Sequence, residues 1–549
     1  MSIMADSIAD DVMREQSQLA AIRAPWEAHW QECAQFVLPR QDEFFGARSP
    51  GGKRTEKMFD STAPLALDRF TAAMEGMLVP RTQKWHRLRA TDPALNKIPA
   101  VIAYFEEATE ILFRSRYAPH SNFPNQINET FASLGALGTS AMFLDDMPGK
   151  GIYYKSLHLS EIFISEDHRG RVDKVHRKFR YSVRQAVKRW GLDQLPADMQ
   201  QVYAAEPERK FDFIHCVRPN EERHPARADF KGMEYASYVI VCDSRSLVHG
   251  GGYRTMPMPV SRYRTSPREI YGRSPAMEAL AAIKMINEMK KTMLRAAHKQ
   301  VDPPMLIHDD NVISRLRLVP NGLNVGGVDS QGRQMIQPLQ TNARLDYGLQ
   351  MLEAEQRTIN DTFLVSLFQI LVQTPEMTAT EVLERAKEKG WLLAPTMGRQ
   401  QAELLGPIIE RELDLLAANG VLPEMPPELV EARGDYAIEY DSPLNRAQRA
   451  EEAAGFFRTI EGLTPLAQLS PEFSKVLAEK FDADAVIDML VDVNGVPQRL
   501  LLSEDKRRAK EQEEQDASEL QGILAAAPVV AKTAKDMAAA GAAAGAALA

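Results

Sequence analysis

Residues 266–304 read SPREIYGRSPAMEALAAIKMINEMKKTMLRAAHKQVDPP, and this stretch decides how the rest of the chain is interpreted. It carries the start and stop signals of one long helix. Ser274 is placed to act as N-cap, Pro275 suits the first helical position, and Glu278 favours the positive end of the helix dipole. The two prolines that close the stretch end the helix. At about 1.5 Å per residue, the sequence predicts a rod of about 40 Å.

Methionines recur every four residues along this predicted helix, at Met285, Met289 and Met293. Together with neighbouring leucines and isoleucines they leave apolar surface on more than one side of the helix. A helix of this kind is buried between several neighbours. The simplest interpretation is a core helix of a large domain.

Composition sets limits on the class of protein. The chain has 549 residues, 44% of them hydrophobic and 26% charged, which is ordinary for a globular protein of about three to four domains. The net charge of −9 argues against a protein that binds nucleic acid mainly through a basic face. It remains compatible with a protein that lets nucleic acid pass without sticking.

Cysteines and targeting signals point to a reducing compartment. Cys33, Cys216 and Cys242 are too few and too scattered to predict a disulfide framework or a zinc site. The acidic N-terminus lacks the apolar core of a signal peptide, and no run approaches the ~20 apolar residues that a membrane helix needs. The sequence therefore predicts a soluble intracellular protein without membrane contact.

The periodicity of apolar residues predicts an α+β, predominantly helical fold. Residues 161–259 alternate apolar and polar side chains, which predicts a mostly antiparallel sheet interrupted by one helix over 183–190. Helices are predicted over 5–38, 61–78, 99–116, 125–137, 342–368 and 407–418, with a further helix reaching residue 405 and bent near Pro395 and Gly398. Short strands are predicted over 140–144, 151–157 and within 436–444, and helices are predicted from 445 onward.

Motifs that carry catalytic chemistry are missing from the sequence. It has no GxxxxGK[ST] phosphate loop, no GxSxG nucleophile elbow and no HExxH zinc motif. The nearest metal-like runs are residues 308–310 (His-Asp-Asp) and 166–168 (Glu-Asp-His), which both lie in polar turns and are interpreted as solvated loops. We therefore expect no catalytic residue, no metal and no cofactor.

Two further patterns have a structural and a functional interpretation. His215 and Cys216 are neighbours in an alternating strand, which predicts that one is buried and the other exposed. The aromatic and basic run 85–89 (Trp-His-Arg-Leu-Arg) could stack on nucleic acid. Such a run is more commonly a subunit contact or a covered strand.

Several landmarks in order resemble the portal (head-to-tail connector) proteins of short-tailed bacteriophages with a T7-like head. The most specific is residues 377–382, Met-Thr-Ala-Thr-Glu-Val, which is similar to a signature of that family. Glu376 stands where the family pattern has arginine, so no role of that arginine is carried over. The other landmarks are Trp26 and Trp30 before Pro39, residues 59–62, Lys84-Trp85, Phe131 to Ala141, Val175-His176-Arg177, and Arg262-Tyr263 to Pro275.

This resemblance implies a ring, usually a dodecamer, with a wing, a two-helix stem, an inserted clip and a helical crown. On this chain it implies a wing at 1–265 and 379–440, stem helices at 266–302 and 342–368, a clip at 303–341, a tunnel loop at 369–378 and a crown at 441–549.

The resemblance also implies partners and a location. The ring would sit at one capsid vertex of the virion, after assembly in the host cytoplasm, and double-stranded DNA would pass through it. Its partners would be the terminase large subunit, a tail adaptor protein, and the major capsid and scaffolding proteins. We expect Gln369, Gln373 and Glu376 to face the DNA channel, and Met285, Met289 and Met293 to contact neighbouring subunits.

Two alternatives from other classes remain open at this point. A metal-dependent nucleic-acid-processing phage enzyme would use residues 140–260 as its catalytic domain, and would need clustered acidic metal ligands. A non-viral helical adaptor would form a monomer or a small oligomer without a central channel.

Overall fold

The structure is a computed structural model that describes residues 2–46, 51–227, 229–307, 317, 319–325, 327–328, 330–339, 345–365 and 394–440, with isolated positions between 455 and 486. The described chain forms two compact units. One is built from residues up to 86, from 110 to 422, and residue 440; the other contains 87–109 and 423–439. Helices and strands are mixed, as the sequence predicts.

The helices in the described residues have the following bounds: α1 Ser2–Val37, α2 Thr62–Leu78, α3 Pro99–Arg116, α4 Phe123–Leu137, α5 Val183–Trp190, α6 Ala197–Ala205, α7 Pro275–Val301, α8 Leu345–Thr362, α9 Gly406–Ala418 and α10 Pro427–Glu431. The strands are β1 His86–Ala90, β2 Thr139–Met147, β3 Gly151–Leu157, β4 Ile162–Glu166, β5 Val172–Ser182, β6 Lys210–Pro219, β7 Tyr235–Val241, β8 Ser246–Tyr253, β9 Val260–Arg262, β10 Met305–Ile307, β11 Ile336–Pro338 and β12 Tyr436–Tyr440.

A five-stranded antiparallel sheet, ordered β4-β5-β6-β7-β8, is the largest β structure in the first unit. Its two faces are both covered. Helices α5 and α6 pack apolar side chains against one face, around Phe179 and Phe213. Helix α1 packs Ala9 and Val12 on the other face, around Ile214.

Covering both faces corrects one prediction. His215 and Cys216 were expected to divide between core and surface, but both are buried. His215 lies on one face of β6, where its Nε2 is 2.9 Å from Ser237 Oγ. Cys216 lies on the other face, in the apolar cluster beneath α1. Alternation along a strand gives the face of each residue, but it does not reveal whether that face is covered.

Other predicted elements are confirmed, extended or corrected. The helices at 99–116 and 183–190 have the predicted bounds, whereas α6 and the glycine-rich β8 were not predicted. The helix predicted to reach Leu405 is described from residue 394, and it widens into a π-helix at Gln401–Leu405. The predicted helices after residue 445 fall almost wholly outside the described residues.

A smaller sheet, ordered β3-β2-β9, lies against α4 and leads the chain toward α7. At its edge two backbone segments cross at Gly138 and Gly272. Gly138 has a φ of +77°, and a Cβ added to either glycine would overlap the carbonyl oxygen of the other. Only glycine fits both requirements, the left-handed φ and the close approach.

Aromatic side chains pin α1 to this region. The Trp30 indole donates from Nε1 to the carbonyl of Leu137 at 3.0 Å, and its ring stacks on Trp26 at 5.8 Å and meets Tyr271 edge-on at 5.0 Å. Arg23 donates to the carbonyl of Ile162 at 2.8 Å. These contacts make the N-terminal helix part of the core.

Across the part of the chain that the structure describes, the helices are too short or too polar to cross a membrane.

We predict that His215 makes the protein sensitive to acid. Burial, with Arg189 and Arg177 nearby, lowers the pKa of His215 to about 3, against about 6.5 in an unfolded chain. The stabilisation is therefore fully present above about pH 6.5 and is lost as pH falls toward 3, at about 1.4 kcal/mol per pH unit. Melting temperatures measured from pH 7.5 to 4.5 should fall less steeply for His215→Gln. The exposed His224→Gln should match the wild type, and equal slopes in all three proteins would contradict the prediction.

We also predict that Gly138→Ala is strongly destabilising. The new Cβ meets the backbone of Gly272 at a left-handed φ, so the free energy of unfolding should fall by about 1–3 kcal/mol or more. The matched control is Gly76→Ala in the last turn of α2, where the space around the position is open. That change should raise stability by up to about 1 kcal/mol. Denaturant titration measures both, and equal effects of the two substitutions would count against the crossing.

Candidate functional site: a two-helix hairpin

The start of α7 is fixed by a set of buried hydrogen bonds. Ser274 caps the helix as predicted: its Oγ accepts from Met277 N at 3.0 Å and donates to the carbonyl of Ala136 at 2.9 Å. Gly272 N donates to Thr139 Oγ1 at 2.9 Å, directly beside the glycine crossing. The helix therefore leaves the core in one defined direction.

Helix α7 is buried in its first half and open in its second. The buried residues are Pro275, Ala276, Met277, Ala279, Leu280, Ile283, Ile286 and Asn287. No residue from 288 to 301 is buried in the single chain. The interpretation as a core helix therefore holds for about half of its length.

Asn287 marks the point where the buried half ends. Its side-chain Oδ1 accepts from the backbone N–H of Phe59 at 2.6 Å, and its Nδ2 donates to the carbonyl of Lys57 at 2.8 Å. One turn further on, Lys290 Nζ lies 3.0 Å from Asp60 Oδ2. Sequence reasoning missed Asn287, although an asparagine among apolar helix positions is a signal for a buried polar contact.

Helix α8 returns antiparallel along α7. Near its start, Gly348 lies so close to Met293 that an added Cβ would be 3.0 Å from the sulfur. Past its end, Phe363 is buried and packs edge-on against Phe70 of α2 at 6.3 Å. The helix predicted over 342–368 is interrupted, because α8 ends at Thr362 and Leu364 takes a left-handed φ of 58°; residues 366–368 lie outside the described residues.

The hairpin exposes several large apolar side chains. Met285 is 41% exposed and Tyr347 is 66% exposed, while Met289 and Met293 are partly covered. A shallow depression between the helices is lined by Met285, Glu288, Met289, Thr292, Met293 and Gly348. A single chain thus leaves apolar helix surface in water where a partner would be expected.

Between the helices, β10 and β11 form a short antiparallel pair in which Leu306 lies opposite Gln337. Apolar residues are exposed here as well, namely Leu306, Ile307, Val319, Leu323, Val325, Val328 and Leu339. The insertion thus presents a second apolar surface at the tip of the hairpin.

The chain that follows residues 366–393 is held by two buried arginines. Arg262 donates from Nη2 to Glu403 Oε1 at 2.7 Å, inside the π-helix, and also pairs with Glu166. Arg116 is buried and pairs with both carboxylate oxygens of Glu412 in α9. These contacts hold the chain in place after the predicted tunnel loop at 369–378.

The environment of Glu412 is a closed ionic cluster. Tyr154 donates its hydroxyl to Glu412 Oε1 at 2.6 Å, and burial, followed by that carboxylate, raises the pKa of Tyr154 well above its ordinary value. Burial and the adjacent Arg116 hold the pKa of His86 well below its usual range. The cluster thus contains one ion pair, Arg116 with Glu412, and its other members, Tyr154 and His86, are neutral. This arrangement suits a structural role.

Other sequence candidates now have positions. Trp85 and His86 are buried, so the run at 85–89 is a covered strand start rather than a stacking platform for nucleic acid. In the run 166–168, Glu166 pairs with Arg262 and Asp167 caps a turn through Arg169 N and Arg171 N. Residues 308–310, the channel candidates Gln369, Gln373 and Glu376, and the signature at 377–382 lie outside the described residues.

Comparisons with known proteins identify relatives along most of the chain. A family model described as "Bacteriophage head to tail connecting protein" matches residues 9–502. The chain is 29% identical over 492 residues to the probable portal protein of Bordetella phage BPP-1, covering 88% of this chain and 87% of that one. It is 25% identical over 542 residues to the portal protein of Salmonella phage epsilon15, covering 97% and 96%. Because the family match spans most of its length, the chain belongs to the bacteriophage head-to-tail connecting proteins.

Proposed function

We propose that this chain is the subunit of a portal ring at one capsid vertex, through which double-stranded DNA is packaged and later ejected. The observation that carries the proposal is the half-exposed helical hairpin in a chain of the connector family. The ring acts as a passive channel and docking surface and has no catalytic role of its own.

Closure of a ring explains the exposed apolar surface of the hairpin. A heterologous contact, repeated by rotation until it closes, covers two different faces of each subunit. The stem helices would be 266–302 and 342–368, with Met285, Met289 and Met293 at the contact between neighbours. Flexible methionines suit an interface whose helices adjust slightly to one another.

The insertion at 303–341 would serve as the clip. Its exposed apolar residues, such as Leu323 and Val325, would be covered by neighbouring clips and by a docked partner. The terminase large subunit would bind there during packaging, and a tail adaptor protein would bind afterwards. The wing at 1–265 and 379–440 would face the major capsid and scaffolding proteins, and the crown at 441–549 would face the capsid interior. Assembly would take place in the host cytoplasm.

A loop that narrows the channel needs fixed ends. The segment assigned as tunnel loop, 369–378, is preceded by the buried Phe363 and followed by the Arg262–Glu403 pair. We propose that Gln369, Gln373 and Glu376 face the lumen. The net charge of −9 fits a wall along which DNA slides, because each lysine or arginine that contacts a phosphate adds a salt-dependent binding free energy.

The first test is native mass spectrometry of the purified chain, with negative-stain images of the same sample. We expect a dodecamer, or a ring close to that size, with a stained central hole. A stable monomer or dimer at micromolar concentration would contradict the proposed ring and leave the adaptor alternative.

A substitution in the hairpin tests the subunit contact. Met285→Asp should prevent ring assembly, because a carboxylate would be buried against apolar helix surface. Met285→Leu should assemble normally. The matched control is Met425→Asp, since Met425 is 40% exposed against 41% for Met285 but lies in the other unit. Unaffected assembly of Met285→Asp would exclude this residue from the contact.

A charge change tests the channel assignment. Gln373→Lys in every subunit should slow DNA translocation in a packaging assay, and the slowing should weaken as salt is raised. Gln201→Lys, at an exposed position of α6, introduces the same charge and should leave translocation unchanged. Equal rates for both variants and the wild type would remove Gln373 from the lumen.

A further inference from the structure

We propose that the chain binds one zinc ion between α1 and the five-stranded sheet, through Glu15, His176 and Cys216. This site is independent of the proposed portal function. One ligand atom of each residue lies within 4.8 Å of the other two. His176 and Cys216 are direct partners across β5 and β6, so their side chains emerge on the same face of the sheet. Glu15 reaches them from the helix above.

Unpartnered atoms in this cluster point at one another. His176 is buried, and its Nδ1 is 3.1 Å from Gln16 Oε1. With Nδ1 donating to that amide oxygen, Nε2 presents a lone pair. It faces Glu15 Oε2 at 3.4 Å, and both atoms lack a hydrogen bond. Two acceptors that face each other at this distance leave a place for a cation between them, either a proton on Nε2 or a metal ion.

The donor set selects the type of metal. Glu15, His176 and Cys216 offer oxygen, nitrogen and sulfur, a set that suits zinc with a water as fourth ligand. Gln16 then has the outer role of holding the imidazole in the ligating tautomer. Binding would release the thiol proton of Cys216 to solvent, because thiolate is the ligating form.

Two cationic side chains next to the cluster narrow the choice of metal further. Lys174 Nζ and Arg218 Nη1 lie 3.0 and 2.8 Å from Glu15 Oε1, which leaves only Oε2 for a metal. A hard cation such as Mg²⁺ would gain one oxygen ligand and meet two positive charges. Zinc also gains the imidazole and the thiolate, which are ligands that magnesium does not favour.

A zinc ion at this site would hold the N-terminal helix α1 against the sheet. The glutamate belongs to α1 and the other two ligands belong to the sheet, so the ion would join elements that are far apart in the sequence. Metal binding at such a site adds to folding stability. Removing zinc should lower the melting temperature and expose α1 to proteases first.

The test uses the full-length, untagged protein in its native assembly, purified without chelator. After incubation with Zn²⁺ and desalting, inductively coupled plasma mass spectrometry should find about one zinc per subunit. Replacement by Co²⁺ should give a thiolate-to-cobalt charge-transfer absorption band. Cys216→Ser should lose the band and most of the zinc, whereas Cys242→Ser, which also borders the apolar cluster, should keep both.

Absence of zinc from the wild type, or equal zinc in Cys216→Ser, would overturn the proposal and leave an ion-pair network. Should Cys216→Ser fail to fold, Glu15→Gln decides the question, because Glu15 is partly exposed and the amide has the same size and shape as the carboxylate. Weaker zinc binding by that variant supports the site, and unchanged binding overturns it.

Discussion

The rest of the structure depends on the crossing of two backbone segments at Gly138 and Gly272. Each carbonyl occupies the space where the other residue would carry a Cβ, so the segments approach more closely than any other residue type permits. The crossing brings the end of α4 to the start of α7, where Ser274 bonds to both helices. Because these contacts hold the first turn of α7 in one orientation, they set the direction of the whole helix.

Burial along α7 divides the helix into a part that its own chain covers and a part whose apolar surface is left for another molecule to cover. The buried residues of α7 extend as far as Asn287, and none of residues 288–301 is buried, although Lys290 still pairs with Asp60 and α8 packs alongside. Apolar side chains such as Met285, just before Asn287, and Leu294, beyond it, remain in contact with water. The hydrophobic effect that completes the core in the first half thus favours association in the second half.

Two buried arginines hold in place the part of the chain that follows residues 366–393. Removing one partner of a buried ion pair is costly, because the remaining charge is left without compensation. Arg262 with Glu403 and Arg116 with Glu412 therefore hold Gln401–Leu405 and α9 firmly against the rest of the first unit. The π-helix places Glu403 opposite Arg262, and Gln400 adds a hydrogen bond to the Arg262 carbonyl at 2.9 Å.

By itself the sequence determined the local elements and the family. Ser274 with Pro275, and the alternation along β5 to β7, depend only on neighbouring residues, and helices such as Pro99–Arg116 were predicted with their bounds. Tertiary structure alone decided which faces were covered, and so buried both His215 and Cys216. It also paired Arg262 with Glu403, held Asn287 against Lys57, and gathered Glu15 with His176 and Cys216. The physical reason is that periodicity records the environment of a single element, whereas these contacts join side chains from distant parts of the sequence.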